Sequence, residues 1–289
     1  MPLPRKRFGQ HWLKDATVHR AMVVAAGLNV AALSGQELPQ GERPCVLEVG
    51  PGTGELSRRL LAAGADVVAV EIDRRLCSIL QKKLGQNSHF TLVQGDVLEM
   101  PLPERPSLLV ANIPYNITSP LLDKVLGTLA HPVTQFQRIV LLVQRELAER
   151  LSASPGTKAY SAMSVRSQYL ADCQIVQIVP PKAFQPPPQV ESAIICLTPR
   201  PYPTPTRDRR WLGLLVQQGF ATRRKQLTNT LQSLATKEAI AAALVQLGLD
   251  PHSRAEALTI TNWIDFSNSL LPARATQSPP FPEPLATSN

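Results

Sequence analysis

In the stretch CVLEVGPGTGELS, residues 45–57, an apolar run breaks into three glycines within five positions, Gly50, Gly52 and Gly54, and then resumes with helical character. A chain accommodates this pattern when the run is a buried strand whose end turns sharply. Val46, Leu47 and Val49 supply the strand. The glycines permit backbone conformations, and a closeness to a ligand, that a Cβ would forbid. Their spacing is G-x-G-x-G and not the G-x-G-x-x-G that seats a pyrophosphate on a helix N-terminus, so a dinucleotide is not the expected ligand.

Acidic residues narrow the ligand further. Glu48 stands two residues before Gly50. Glu71 ends the next apolar run, DVVAVEID (66–73), where an acid at the tip of a second parallel strand accepts hydrogen bonds from ribose hydroxyls. Asp96 ends a third run, HFTLVQGDVLEM (89–100). A glycine turn with a strand-end Glu and a strand-end Asp suits a nucleoside without phosphates, whose ribose and adenine edges are read by acceptors. S-adenosylmethionine is such a ligand.

The same alternation continues along the chain. Strands at 45–50, 66–71, 90–94, 107–111 and 138–143 are separated by helices at 54–63 and 74–84, a Pro-rich loop at 101–106 and a helix after ANIPYNITSPLL, and are followed by a helix from Gln144. Such spacing predicts an α/β fold, a parallel sheet with helices on both faces. Ligands of these sheets bind beyond the carboxyl ends of the strands, and Gly50, Glu71, Asp96 and Asn112 all fall there.

The flanking segments are read more coarsely. KRFGQHWL (6–13) is an N-terminal arm in which Phe8 and Trp12 either pack on the domain or serve the site, and Asp15 caps a helix running to Leu28. Residues 34–44 form a loop. A helix over 158–171 and a strand over 173–180 precede a rigid loop set by Pro180, Pro181, Pro186, Pro187 and Pro188, and then a strand from Val190 to Leu197. The expected division is a catalytic domain over 1–199, a smaller all-helical domain over 200–271 after the RPYPTPT linker, and a tail over 272–289 with the composition of disorder.

Composition excludes several classes. At 44% apolar residues, with no unbroken apolar run near the length of a membrane span, no such span is expected. The basic N-terminus lacks a following apolar region, so a cytoplasmic protein without a secretory signal is expected. Thirty Lys and Arg against 22 Asp and Glu give a net charge of +8, which favours a polyanionic partner. The excess is local, because Arg200, Arg207, Arg209, Arg210, Arg223, Arg224 and Lys225 fall within 200–225 with Asp208 as the only acid. Cys45, Cys77, Cys173 and Cys196 stand far apart and read as buried thiols of a reducing compartment. The histidines show no ligand spacing, so no metal site is expected.

The sharpest motif is Asn112-Ile113-Pro114-Tyr115. An exocyclic amine on a base is a poor nucleophile, because its lone pair is delocalised into the ring. A site that makes it attack a methyl sulfonium must hold the amine hydrogens with acceptors and keep the base flat. The Asn112 side-chain oxygen and the Ile113 carbonyl are candidate acceptors, Pro114 fixes the turn, and Tyr115 offers a stacking face. The target nucleotide must be flipped out or already unpaired. Taken alone, the four letters also describe an ordinary turn with a buried tyrosine.

Over roughly residues 5–270 the chain resembles the ribosomal RNA adenine N6-dimethyltransferase family. The resemblance rests on RKRFGQHWL, LEVGPGTGELS, AVEIDRRL, QGDVLEM, ANIPYNITSPLL, LLVQRELAERL, TKAYSAMSV, VPPKAFQPPPQVESAII, FATRRKQLTNTL and SRAEALT. It implies a Rossmann-like S-adenosylmethionine-dependent methyltransferase sheet with a smaller helical C-terminal domain. Implied donor contacts are His11, Leu13, Gly50, Glu71, Asp96 and Asn112, with His11 standing where the family usually has Asn. Phe184 is implied as an aromatic cover for the target base opposite Tyr115, while Gln144 and Glu146 stand just past a strand end near it. Within the family the small-subunit enzymes are matched best. That implies dimethylation of two adjacent adenosines in the hairpin loop near the 3′ end of small-subunit rRNA, the maturing small subunit as partner, and a monomer. FATRRKQLTNTL, read as a helix, would place Arg223, Arg224 and Lys225 partly against phosphates and partly in pairs within the protein. The competing readings are a large-subunit rRNA adenine N6-methyltransferase of the antibiotic-resistance type and a non-catalytic ribosome-assembly factor.

Overall fold

Along each central strand, alternate side chains enter two different cores, and this two-sided burial organises the molecule. The computed structural model describes residues 11–28 and 43–271; Phe8, most of the loop expected at 34–44 and the tail from Pro272 lie outside them. Strands are β1 Trp12–Leu13, β2 Cys45–Val49, β3 Asp66–Glu71, β4 Phe90–Gln94, β5 Leu108–Asn112, β6 Arg138–Gln144, β7 Ala171–Val179, β8 Phe184–Gln185 and β9 Ser192–Pro199. Helices are α1 Ala16–Ala25, α2 Glu55–Ala62, α3 Arg74–Leu84, α4 Thr118–Leu126, α5 Arg145–Leu151, α6 Ala162–Leu170, α7 Arg209–Gly219, α8 Leu227–Thr230, α9 Lys237–Gln246 and α10 Ile260–Ser269.

Among the described residues the main sheet has seven strands in the order β4-β3-β2-β5-β6-β9-β7. The first five are parallel, while β9 runs antiparallel to both β6 and β7. The sequence reading of a parallel sheet therefore holds for six strands, β7 running in the same direction as the first five, and needs correction for β9 alone. The physical reason is the link between β7 and β9. Residues 180–191 contain no crossover helix, and a parallel pair requires one.

The order reverses between β2 and β5, so the two chains leaving those strands diverge and open a crevice at the carboxyl edge. β2 is buried along its whole length, as a central strand covered on both faces must be. Leu47, Val49, Leu109, Ala111, Leu141 and Val143 face α4 to α6, and their core continues without a break into Leu212, Leu215, Ile240, Trp263 and Phe266 of the C-terminal helices. Val46, Val67, Ala69, Val110 and Leu142 face α1 to α3 through Val18, Met22, Leu56, Leu60 and Leu80. Asp15, Asp73 and Asp208 cap α1, α3 and α7, accepting from the backbone N–H groups of Thr17, Arg75, and Arg210 and Trp211. No helix among the described residues is long and apolar enough to cross a membrane.

One helical expectation is corrected. Residues 221–226 form a turn between α7 and α8, so Arg223, Arg224 and Lys225 are not on a helix. Phe220 joins an aromatic cluster, 5.9 Å from Tyr160 and 5.8 Å from Trp263 between ring centroids, and the chain must then reverse for Leu227 to reach the core. Closure of α7 on α10 needs a residue without a side chain. A Cβ on Gly219 would lie 2.6 Å from the Trp263 ring and 3.1 Å from Leu227. Gly219→Ala is expected to lower stability by about 1–3 kcal/mol through overpacking, read as a lower urea midpoint with unchanged far-ultraviolet dichroism.

Candidate active site

The three glycines adopt left-handed conformations, with φ of 66° at Gly50, 61° at Gly52 and 83° at Gly54, which residues bearing a Cβ rarely enter. The loop is fastened to the neighbouring strand. Gly50 N–H donates to the Val70 carbonyl at 2.9 Å, and Gly52 N–H donates to Glu71 Oε2 at 3.2 Å. Glu71 Oε1 accepts from Asp73 N–H at 2.9 Å. Burial pushes the Glu71 carboxyl above its ordinary range, while those two backbone donors pull it back. Asp96 Oδ1 accepts from Leu98 N–H at 2.8 Å, an Asx turn that fixes its carboxylate just past β4.

Asn112 ends β5 on the other side of the crevice, half-buried, with Ile113 only 2% exposed behind it. The Pro114 carbonyl accepts from Ile117 N–H at 3.2 Å, closing a short 3₁₀ turn over Tyr115–Ile117. Tyr115 shares a 2.7 Å hydrogen bond with the Ser192 hydroxyl, which orients its ring, and burial raises its phenol above the ordinary value. The His11 ring stacks against Tyr115 at 6.2 Å and 22°, and its Nδ1 lies 2.9 Å from the Pro186 carbonyl.

A roof covers part of the site. Trp12 and Leu13 pair antiparallel with Gln185 and Phe184, and Lys14 N–H donates to the Ala183 carbonyl at 2.9 Å. The N-terminal arm and the Pro-rich loop, read separately in the sequence, are thus one small sheet. Trp12 packs on the glycine turn, where a Cβ on Gly52 would meet its ring at 3.0 Å. Phe184 is 2% exposed in the α1-side core and also reaches the site.

These parts enclose one cavity of about 270 Å³, lined by His11, Leu13, Gly50, Glu71, Asp96, Asn112, Ile113, Pro114, Tyr115 and Phe184 together. Gln144 and Glu146 are not in its wall, and Glu146 instead pairs with Arg150 at 2.7 Å on the surface. Arg223, Arg224 and Lys225 are exposed and lie outside it. Arg223 donates to the Lys158 carbonyl and lies 3.8 Å from Glu256, so part of this charge does pair within the protein.

Three further residues in the wall carry chemistry. Trp12 was ambiguous in the sequence, and His19 gave a weak signal as a polar residue on the apolar face of α1. Glu48 stands alone as an acid inside an apolar strand. It is 1% exposed, its Oε2 has no hydrogen-bond partner, and burial pushes its carboxyl up to about 8. Among the described residues, no group of three or more His, Cys, Asp or Glu could hold a metal ion.

A family model described as ribosomal RNA adenine dimethylase matches residues 3–271. The chain belongs to that family. Its members are S-adenosylmethionine-dependent methyltransferases. A relative named ribosomal RNA small subunit methyltransferase A, from Synechococcus sp. (strain JA-2-3B'a(2-13)), is 60% identical over 272 residues, covering 94% of either chain. Two solved structures share the fold. A dimethyladenosine transferase from Plasmodium falciparum superposes with a TM-score of 0.72 at 24% identity, over 89% of this chain and 96% of that one. The 23S rRNA methyltransferase ErmE gives 0.70 at 24% identity, over 90% and 99%. The family's donor fits the cavity: Glu71 and Asp96 present carboxylates, Gly50 would place a Cβ in open space, and a buried Glu48 oxygen awaits a donor.

The wall also contains a pH-sensitive residue. His19 is 3% exposed with its Nδ1 unpartnered, and burial, assisted by Arg59, lowers its pKa to about 4. The unfolded imidazole takes up a proton near pH 6.5 and the folded one only near 4, so protons favour the unfolded chain throughout that interval. Stability should fall as pH drops from 6.5 toward 4, by up to about 3 kcal/mol from this group. Urea titrations across that range should show the loss, and His19→Gln should flatten it.

Proposed function

We propose that this family member dimethylates N6 of two adjacent adenosines in the 3′-terminal hairpin loop of small-subunit rRNA, during maturation of the small ribosomal subunit in the cytoplasm, and acts as a monomer. The observation that carries the reading is the convergence of Gly50, Glu71 and Asp96 with Asn112-Ile113-Pro114-Tyr115 on one cavity. The 60% identity to a small-subunit methyltransferase favours that rRNA over the large-subunit one, whereas the two solved structures, both at 24% identity, speak to the fold alone.

The donor supplies a methyl group on a sulfonium, and the residues around it orient and align. Glu71 and Asp96 accept from ribose and adenine, while the turn at Gly50 lets the backbone approach closely. His11 and Leu13 contribute from the arm. On the acceptor side, Asn112 Oδ1 and the Ile113 carbonyl receive the amine hydrogens and direct its lone pair. The Pro114 carbonyl is already engaged by Ile117 and Thr118, which makes Ile113 the better candidate. Tyr115, steered by Ser192, stacks on the base from one side, and Phe184 is assigned the other. Alignment, more than a strong base, then lowers the barrier.

The exposed turn carrying Arg223, Arg224 and Lys225 is assigned to rRNA phosphates, with Arg224 and Lys225 contributing most because Arg223 is already engaged. Transfer of labelled methyl groups to small subunits from a strain lacking this gene, followed by mapping of the modified bases, tests the assignment. Label found only on large-subunit rRNA would overturn it. Asn112→Ala is expected to abolish methylation while leaving co-sedimentation with the particle intact. Arg224→Glu combined with Lys225→Glu should weaken particle binding and reduce the slope of log affinity against log salt by about 1–2.

A further inference from the structure

Between β4 and β5 the chain must cross two strands, because β3 and β2 lie between them in the sheet. A parallel crossover of this kind is usually a helix, whose own hydrogen bonds satisfy its backbone. Residues 95–107 form none, and Pro101, Pro103 and Pro106 each lack the N–H that a regular element would use. The segment nevertheless packs on the core through Val97, Leu98, Met100 and Leu102. Its carbonyls therefore need donors from elsewhere. Two side chains from the stretch that follows Asn112-Ile113-Pro114-Tyr115 supply them. Lys124 Nζ donates to the Leu98 and Met100 carbonyls at 2.8 and 2.5 Å, and Gln135 Nε2 donates to those of Pro103 and Pro106 at 2.7 and 3.0 Å.

The two anchors hold different ends of the crossover. Gln135 holds the end that enters β5, at the amino edge of the sheet, and none of residues 98–107 lines the cavity. Lys124 holds the end that leaves β4, next to Gly95, Asp96 and Val97, which do form cavity wall. That piece of wall is fixed on both sides. Gly95 N–H donates to the Glu71 carbonyl at 3.0 Å, which ties it to β3. Leu98 is gripped twice, its N–H donating to Asp96 Oδ1 at 2.8 Å and its carbonyl accepting from Lys124. Lys124 stands on a rigid base, because Leu121, Leu122 and Val125 of α4 are fully buried in the core. Its neighbour Asp123 pairs with Arg166, so this carboxylate does not draw the ammonium away from the two carbonyls.

We propose that Lys124 is a positioning residue for the methyl donor: by clamping Leu98 and Met100 from α4, it holds the Asp96 carboxylate where the adenine amine is read. The proposal rests on the donor reading of the cavity, in which Asp96 accepts from adenine. Without the ammonium, the Leu98 and Met100 carbonyls must turn toward water, and the turn over residues 96–100 shifts with them. Asp96 follows, because its Oδ1 is bonded to Leu98 N–H. Hydrogen bonds weaken steeply with misalignment, so the loss falls on the adenine amine. A lysine kept only to satisfy the crossover would matter for folding, as Gln135 does, and not for the base that the donor carries.

Calorimetry on the full chain tests this with two probes: S-adenosylhomocysteine, and S-inosylhomocysteine, in which an oxygen replaces the adenine amine. The unsubstituted protein should prefer the first, since the oxygen gives a carboxylate nothing to accept. Lys124→Met is expected to weaken the first roughly tenfold and the second less than about twofold, so that the preference shrinks. Lys124→Arg, which keeps a charged donor, should stay within about threefold of the unsubstituted protein. Gln135→Met should lower the urea midpoint as Lys124→Met does, yet change neither probe by more than about twofold. In methyl transfer, Lys124→Met should raise the KM for S-adenosylmethionine roughly tenfold and leave kcat within about twofold. Unchanged binding of S-adenosylhomocysteine by Lys124→Met, equal weakening of both probes, or a loss in Gln135→Met as large as in Lys124→Met would overturn the proposal. If Lys124→Met does not fold, Lys124→Gln, whose shorter side chain cannot span both carbonyls, is read by the same criteria. Failure of the unsubstituted protein to bind S-adenosylhomocysteine at all would instead discredit the donor reading.

Discussion

The bond from Gly52 N–H to the Glu71 carboxylate ties two adjacent strand ends into one wall, and the rest of the site depends on that wall. It forms only because the backbone between β2 and α2 passes through left-handed conformations, which bring an amide to the tip of β3. Trp12 then rests against the outside of the same turn, at a position that a side chain on Gly52 would occupy. One local geometry thus fixes the floor for a nucleoside, the anchor for the N-terminal arm and the start of α2.

The crevice itself follows from topology. With the strand order reversing between β2 and β5, the two loops that must cooperate, the glycine turn and Asn112-Ile113-Pro114-Tyr115, leave adjacent strands in opposite directions. A methyl donor lying on one and a base seated on the other would meet with their reactive atoms between them. The antiparallel β9 contributes a second effect: Ser192 at its start reaches the Tyr115 hydroxyl and sets the plane in which a base would stack. The continuous core from the sheet into Trp263 and Phe266 holds the basic turn at 221–226 in a definite relation to that plane.

Some of the buried polar side chains reach the cavity. His19 and Glu48 both line it, each with an unpartnered buried atom, and their pKa values move in opposite directions because burial disfavours the charged form of either. A scaffold selected for stability alone would fill such positions with carbon. Their retention beside a ligand cavity is consistent with groups that become satisfied when it is filled.

Much of this was legible in the residues. The glycine turn, the strand-end acids and Asn112 were readable because each depends on local chemistry: positive φ, a strand terminus, an acceptor beside a proline. The alternation of elements gave the five parallel strands for the same reason, since burial on both faces leaves a short-range apolar pattern. What the sequence could not specify depends on pairing across long separations. Trp12–Leu13 meets Phe184–Gln185 some 170 residues away, and no local pattern encodes that register. The antiparallel placement of β9 and the turn that interrupts FATRRKQLTNTL were likewise decided by what each segment packs against, Phe220 and Leu227 entering a core built by Trp263 and Tyr160. Glu48 shows the division most clearly. Its position in a buried strand was determined by sequence alone, but only the tertiary structure left its oxygen without a partner and turned it toward the cavity.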